Sequence, residues 1–284
     1  MKLPSPSLKF VLFVSGCLAM VSWAGPAAHA QTPSSISFDF TSFDYPGATF
    51  TQGLGISNNG SIVGEYITGP QGSHGFARLP NGTFEQFDYP GAHLTFLLGI
   101  NDSNQVVGYY VNGDGSSHGF LLTPPGHVTP IEGLPMGIND SGQIVGSSGN
   151  SGFSLLNGTY TNLVYPGAAY TEPRAVNSAG EIAGIWDNSN GFVLTSATNG
   201  TYTDVNYPGA AITYLFGVND LGEVVGRYSD AYGWGGIPAK NEYITVNYPG
   251  SDTTSIQGIN NAGRLTGYWI DTNQVVHGFL AVPK

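Results

Sequence analysis

Apolar and polar residues alternate in short runs through residues 37–284, and Gly, Pro, Asn or Asp punctuates the ends of the runs. Residues 201–207, 213–218 and 223–228 are β-branched and aromatic with a rough two-residue period, the pattern of half-buried strands. Gly233-Trp234 opens a fourth strand of the same kind. Between the first two strands stands Pro208-Gly209, which meets the needs of a type II turn: φ fixed by proline, then φ above zero at glycine. Between the second and third, Asn219-Asp220-Leu221-Gly222 predicts a tight hairpin.

This four-strand phrase recurs six times at a period of roughly 42 residues. It runs from Tyr-Pro-Gly through Gly-Ile-Asn-Asp-x-Gly-x-Val-Val-Gly to His-Gly-Phe, with central words at Gly55, Gly99, Gly137, Ala175, Gly217 and Gly258. The hairpin position that needs a left-handed backbone holds Gly60, Asn104, Gly142, Gly180, Gly222 and Gly263, the two residue types that adopt it cheaply. Asn81-Gly82-Thr83, Asn157-Gly158-Thr159 and Asn199-Gly200-Thr201 always precede the Tyr-Pro-Gly strand and predict primed two-residue turns, although each also has the form of a glycosylation acceptor.

A repeat of this length cannot bury its own apolar face and must stack on its copies. Four strands taken six times predict an all-β, six-bladed β-propeller. The phase of the repeat adds to this: residues 37–45 copy the strand that precedes Tyr-Pro-Gly, and residues 278–282 copy the one that should come before it. Pairing the N-terminal strand with the last blade would close the ring and remove a free sheet edge. A β-solenoid or prism is the alternative.

Residues 1–30 stand outside the repeat and predict a signal peptide. Lys2 and Lys9 make a basic start, residues 10–23 are largely apolar, and Ala28-His29-Ala30 has the small-x-small form of a cleavage site before Gln31. Val14-Ser15-Gly16-Cys17 also has the form of a lipoprotein box, but residues 18–23 continue the apolar run where a polar tether would begin. The expected mature chain, residues 31–284, has no cysteine and so no disulfide or thiolate chemistry. Without Lys2 and Lys9 it keeps six basic residues against nineteen acidic, a net charge of −13. That balance disfavours nucleic acid and anionic membrane surfaces as partners. The expectation is one secreted, monomeric domain that does not insert into a membrane.

At Gly137-Ile138-Asn139-Asp140-Ser141-Gly142-Gln143-Ile144-Val145-Gly146, together with the His-Gly-Phe words, the chain resembles the bacterial extracellular HAF-repeat family. That family is named for a His-Ala-Phe tripeptide after the same core. Here the tripeptide is His74-Gly75-Phe76, His118-Gly119-Phe120 and His277-Gly278-Phe279, and in the other copies Ser151, Asn190 and Tyr232 replace the histidine. The resemblance covers nearly all of the mature chain. It implies an exported repeat protein and no particular reaction.

The Asn-Asp-x-Gly and Asn-Gly-Thr hairpins are short and uniform and belong on one face. The Tyr-Pro-Gly crossovers and third-to-fourth strand loops belong on the other, and variable loops on a rigid scaffold are where binding is usually built. From the Gly closing the core word to the Gly of the fourth strand the step is eleven residues in copies one, two and six, and six or seven elsewhere. Those three copies also carry His74, His118 and His277. The expected ligand-binding sector therefore uses these histidines and the aromatics at the end of the third strand: Tyr66, Tyr110, Trp186, Tyr228 and Trp269. Against it, each His could simply bond a turn in its own loop, and the rings could be packing. Phe76, Phe120, Phe153, Phe192, Trp234 and Phe279 read as core, and the Thr at 51, 95, 171, 213 and 254 reads as a crossover bond.

No cofactor or metal is expected. Asn-Asp-x-Gly lacks the alternating carboxylates of a calcium loop, and adjacent repeats would hold the imidazoles too far apart for a transition metal. No nucleophile elbow, zincin helix or phosphate loop occurs. Asp44 and Asp88 fall where other copies carry Asn206, Asn247 and Val164, which suits turn residues, while Asp187, Asp230 and Asp271 could still hide a single acid pair. The expected function is a non-catalytic binding or cell-surface module for extracellular glycan or protein. The alternative is a secreted carbohydrate-active or lyase-type propeller enzyme.

Overall fold

The computed structural model describes residues 36–69, 72–229, 232–237 and 242–284, so the expected leader, Cys17 and Asp230 lie outside the described residues. β1 (Phe38–Phe43) comes first and is followed by β2 (Phe50–Ile56), β3 (Ile62–Ile67), β4 (His74–Arg78) and β5 (Phe84–Phe87). Next come β6 (Leu94–Ile100), β7 (Val106–Val111), β8 (Ser117–Thr123) and β9 (His127–Ile131), then β10 (Leu134–Ile138), β11 (Ile144–Ser148), β12 (Ser151–Leu156) and β13 (Thr159–Leu163). β14 (Thr171–Val176), β15 (Ile182–Trp186), β16 (Asn190–Leu194) and β17 (Tyr202–Asp204) form another set, as do β18 (Thr213–Val218), β19 (Val224–Tyr228), β20 (Tyr232–Ile237) and β21 (Glu242–Thr245). β22 (Thr253–Ile259), β23 (Leu265–Ile270) and β24 (Val276–Pro283) end the chain.

Each set of four pairs in chain order into an antiparallel sheet, in the manner of β-propeller blades. The strand before Tyr-Pro-Gly is the outermost strand of the preceding sheet, as β17 is to β16. β24 receives β1 in that place, antiparallel from Phe38↔Pro283 to Phe43↔Gly278. A single parallel bridge, Phe50↔Val276, also links β24 to β2.

The turns follow from local chemistry. In each Tyr-Pro-Gly turn the glycine takes φ of 78–84° and the next N–H donates to the tyrosine carbonyl, as in Ala48 to Tyr45 at 2.9 Å. The tyrosine N–H then donates to the threonine six residues on, Tyr45 to Thr51 at 3.1 Å and Tyr165 to Thr171 at 2.9 Å, which is the expected crossover bond. All six left-handed hairpin positions have φ above zero, Asn104 included at 56°. The Asn-Gly-Thr expectation holds only once. Asn157 and Gly158 both have positive φ, as a primed turn requires, whereas at Asn81-Gly82 only the glycine does and at Asn199-Gly200 neither does. In the first of these Gly82 N–H bonds back to Leu79, so Pro80 adds a residue to the turn.

The core lies between sheets. Phe76, Phe120, Phe192, Trp234 and Phe279 are fully buried and Phe153 nearly so. Each faces the previous sheet, so that Val63 of β3 packs with Phe120 of β8, and Val225 of β19 with Phe279 of β24. Burying such a ring stabilises by about 2–3 kcal/mol.

Candidate functional site at the inner strands

β2, β6, β10, β14, β18 and β22 are the inner strands, and one cavity of about 140 Å³ is lined by the same stretch of each. They approach so closely that a Cβ on Gly99 would lie 3.0 Å from the Gly137 Cα, and one on Gly137 would lie 3.0 Å from the Ala175 Cα. The central glycine of the repeat answers this crowding.

At the hairpin ends the copies act alike. The Asn101 side chain donates to the Asn139 carbonyl at 3.1 Å, Asn139 to Asn177 at 2.8 Å, Asn177 to Asn219 at 3.0 Å, Asn219 to Asn260 at 3.1 Å and Asn260 to Ser57 at 3.0 Å. Outside them, backbone N–H groups of Asn58, Asp102 and Ser178 donate to the carboxylates of Asp102, Asp140 and Asp220. The Asn-Asp word is therefore a belt, with its carboxylates occupied by amides. Burial works against the Asp220 charge, but donors from Ser178 and Asn261 hold its carboxyl below the usual carboxylate range.

Toward the crossover ends the copies diverge. Two positions on each inner strand face the axis, half-buried in most copies, between a threonine and a glycine that five of the six copies keep. The first holds Gln52, Phe96, Leu134, Glu172, Tyr214 and Ser255, and the second Leu54, Leu98, Met136, Arg174, Phe216 and Gln257. Opposite the first, on the adjacent strands, stand Glu65, Tyr109, Ser147, Ile185, Arg227 and Tyr268. These side chains meet both within and between the units. Arg174 pairs with Glu172 at 2.9 Å and lies over the Phe216 ring at 5.5 Å. Arg227 lies over the Tyr214 ring at 5.3 Å and donates to the Tyr268 hydroxyl at 3.4 Å. The Nε atoms of both arginines are buried without a partner. Phe96 stacks on Tyr109 at 4.5 Å.

The axis also shifts its acids. Burial pushes the Glu65 carboxyl up, against bonds from Ser73 and Gln52. Tyr170 is pushed up to about 12 by burial and by Glu172. Buried, chemically mixed groups of this kind mark a place where a polar ligand can be gripped.

The residues expected from sequence lie farther out, in stacks within each sheet. Tyr66 packs on Tyr45 with centroids 3.6 Å apart and on His74 at 5.3 Å. Tyr110 packs on Tyr89 at 3.7 Å and on His118 at 5.2 Å, and Trp269 on Tyr248 at 4.2 Å and on His277 at 4.8 Å. Trp186 lies on Tyr165 at 4.5 Å, and Tyr228 on Tyr207 at 3.8 Å. Their polar tips reach the outer strand: Trp186 Nε1 to Asp204 at 3.1 Å, Trp269 Nε1 to Ser42 at 3.0 Å and the Tyr228 hydroxyl to Thr245 at 2.9 Å. Tyr66 is only 3% exposed, so its ring offers no open platform. The others keep half-exposed edges.

The histidines are partnered too. His74 Nδ1 lies 3.1 Å from Asp88, and His277 Nδ1 lies 2.9 Å from Asp44, with Asp271 at 3.7 Å from its Nε2. His118 bonds Ser116 of its own loop at 3.0 Å. Asp44 and Asp88 are thus histidine partners just past the ends of the outer strands. The longer steps of copies two and six extend the hairpins and end in tight turns, Asn112–Ser116 and Asp271–Val275. Asp187 accepts from the Ala169 and Tyr170 amides. Among the described residues no group of three metal-ligating side chains occurs, and no helix is long and apolar enough to cross a membrane.

Neither a protein-family model nor a curated protein matches the chain. Solved structures similar to it include YCF48 from Cyanidioschyzon merolae, at 9% identity and TM-score 0.46 over 86% of this chain and 98% of that one. A subtype N10 neuraminidase-like protein of A/little yellow-shouldered bat/Guatemala aligns at 10% identity and TM-score 0.47, over 88% and 100%. BamB from Moraxella catarrhalis aligns at 11% and 0.39, over 81% and 82%. At these values the likenesses carry no argument about what the chain does.

Proposed function

We propose that the mature chain is an exported, non-catalytic binding module, a closed six-bladed propeller of the HAF-repeat kind that holds an extracellular glycan or protein at the crossover end of its axis. One observation carries this: between a threonine kept in five of the six copies and a glycine kept in five, the axis-facing residues run from Gln52 and Glu172 to Phe96, Tyr214 and Arg174. A purely structural channel would be free to repeat one residue, whereas a site for an asymmetric ligand needs different chemistry around it. Arg174, Arg227 and Glu172 supply charge-assisted bonds, and Tyr109, Tyr214 and Tyr268 supply rings with polar tips suited to sugar hydroxyls or peptide. Half-exposed edges of Tyr110, Trp269, Trp186 and Tyr228, with His74, His118 and His277, border the same face.

A glycan and polysaccharide binding screen tests the reading, repeated with Arg227→Ala and Tyr268→Phe at the axis and with Tyr110→Ala and Trp269→Ala at its border. Binding weakened tenfold or more by the axis changes supports it; binding unaffected by all four overturns it. The alternative, a lyase or glycosidase, draws on the raised Glu65 carboxyl, a property of general acids. Turnover of a bound polysaccharide that Glu65→Gln abolishes would establish it.

A further inference from the structure

Between the sheet of β18–β21 and that of β22–β24 the core is incomplete. A cavity of about 320 Å³ opens there, walled by Val225, Ile244 and Val246 on one side and by Phe38, Ile259 and Leu265 on the other. Its cause lies in strand register. On the sheet face turned to the next unit, the third, fourth and outer strands align Val63–Ala77–Glu85, Val107–Leu121–Thr129 and Val145–Ser154–Thr161. The same rows continue as Ala183–Val193–Thr203 and Thr266–Leu280–Thr41. In the β18 sheet the row is Val225–Gly235–Ile244. The middle side chain has been removed, and the outer residue, polar in all the other rows, has become isoleucine.

The backbone does not demand Gly235. Its φ lies outside the left-handed region, and a Cβ there would meet nothing nearer than the Val225 Cγ1 at 3.6 Å, an ordinary contact. Two registered changes that together hollow and grease one inter-sheet space point to a ligand.

We propose that this cavity binds a small molecule with a hydrocarbon or aromatic body and a neutral or cationic end. On the scale at which about 150 Å³ holds a benzene, its volume has room for roughly a dozen carbon atoms. Among the described residues the charged side chains in its wall are Glu223 and Glu242, and the mature chain is net negative, so a carboxylate-headed amphiphile is disfavoured.

The test uses the full mature chain and the neutral fluorophore N-phenyl-1-naphthylamine. Saturable one-site binding is expected, displaced at least tenfold more effectively by dodecylamine than by dodecanoate. Gly235→Leu, which copies Leu121 and Leu280, is expected to weaken binding tenfold or more with an unchanged or higher melting temperature. Ile244→Thr should weaken it as well, and it decides the matter if the leucine variant does not fold. Val193→Leu and Arg227→Ala should leave probe binding unchanged, which separates this site from the axis. Absence of saturable binding, or normal binding by both cavity variants, overturns the proposal; equal displacement by the two amphiphiles overturns its charge preference.

Discussion

The two ends of the inner strands are built from one repeat and have diverged in opposite ways. At the hairpin end Asn101, Asn139, Asn177, Asn219 and Asn260 perform one task, each bonded to the next copy. Toward the crossover end Gln52, Phe96, Leu134, Glu172, Tyr214 and Ser255 occupy one position with six chemistries. The contrast teaches that repetition here is a scaffold device. Where a backbone group must be satisfied identically in each unit, the residue is held; where the side chain faces the axis and its counterparts from other units, its chemistry differs from copy to copy.

The largest effect should come from breaking the frame that both ends share. Deleting residues 37–43 removes β1, exposes the edge of β24 and strips Phe40 and Phe43 from the core. The cooperative thermal transition should be lost, and an unchanged midpoint would mean that β1 is dispensable.

At the hairpin end, Asn139→Ala leaves the Asn177 carbonyl and the Gln143 amide without their partner. It should cost roughly 2–4 kcal/mol, read as a lower midpoint in urea or heat, without altering which ligand is bound. A change of specificity with no loss of stability would reverse the comparison.

The two ends should also titrate in opposite senses. Glu65, near the axis, has a folded pKa raised above 4.5, so its contribution is full below that value and fades as pH rises through the folded pKa. Asp220, in the belt, has a folded pKa lowered below 3.8, so its contribution is present above that value and fades as pH falls through the folded one. Glu65→Gln should therefore remove a decline in stability that sets in as pH rises above about 4.5, and Asp220→Asn one that sets in as pH falls below about 3.8, both read from melting curves across pH. Identical profiles for both variants would contradict the assignment.

The smallest effect is a gain. Ser57 is the one belt position without an amide, so Ser57→Asn should add the missing link to the next copy and stabilise by about 0.5–1.5 kcal/mol. Destabilisation would show that the first copy cannot seat the side chain.

Much of the frame was legible because it rests on local needs met repeatedly. Pro-Gly turns, left-handed Gly or Asn, the Thr crossover bond and the buried Phe set each follow from a few adjacent residues. The site was not legible in the same way. Divergence at positions such as 52, 54 and 65 was visible in the copies, but only the assembled strands bring Arg174 over Phe216 and Arg227 onto Tyr268. The loop lengths drew the expectation outward instead, to rings that cross-strand register stacks against their own tyrosines. Gly235 carries no signal in the sequence for a related reason: one glycine among 42 means nothing until strand register sets its row beside the others.

The most direct measurement is calorimetric titration of the first glycan or protein ligand found by screening, against wild type, Arg227→Ala and Asn139→Ala under conditions where all are folded. Binding weakened at least tenfold by the axis change and left within about twofold by the belt change is the predicted result. Equal affinity for wild type and Arg227→Ala would contradict it.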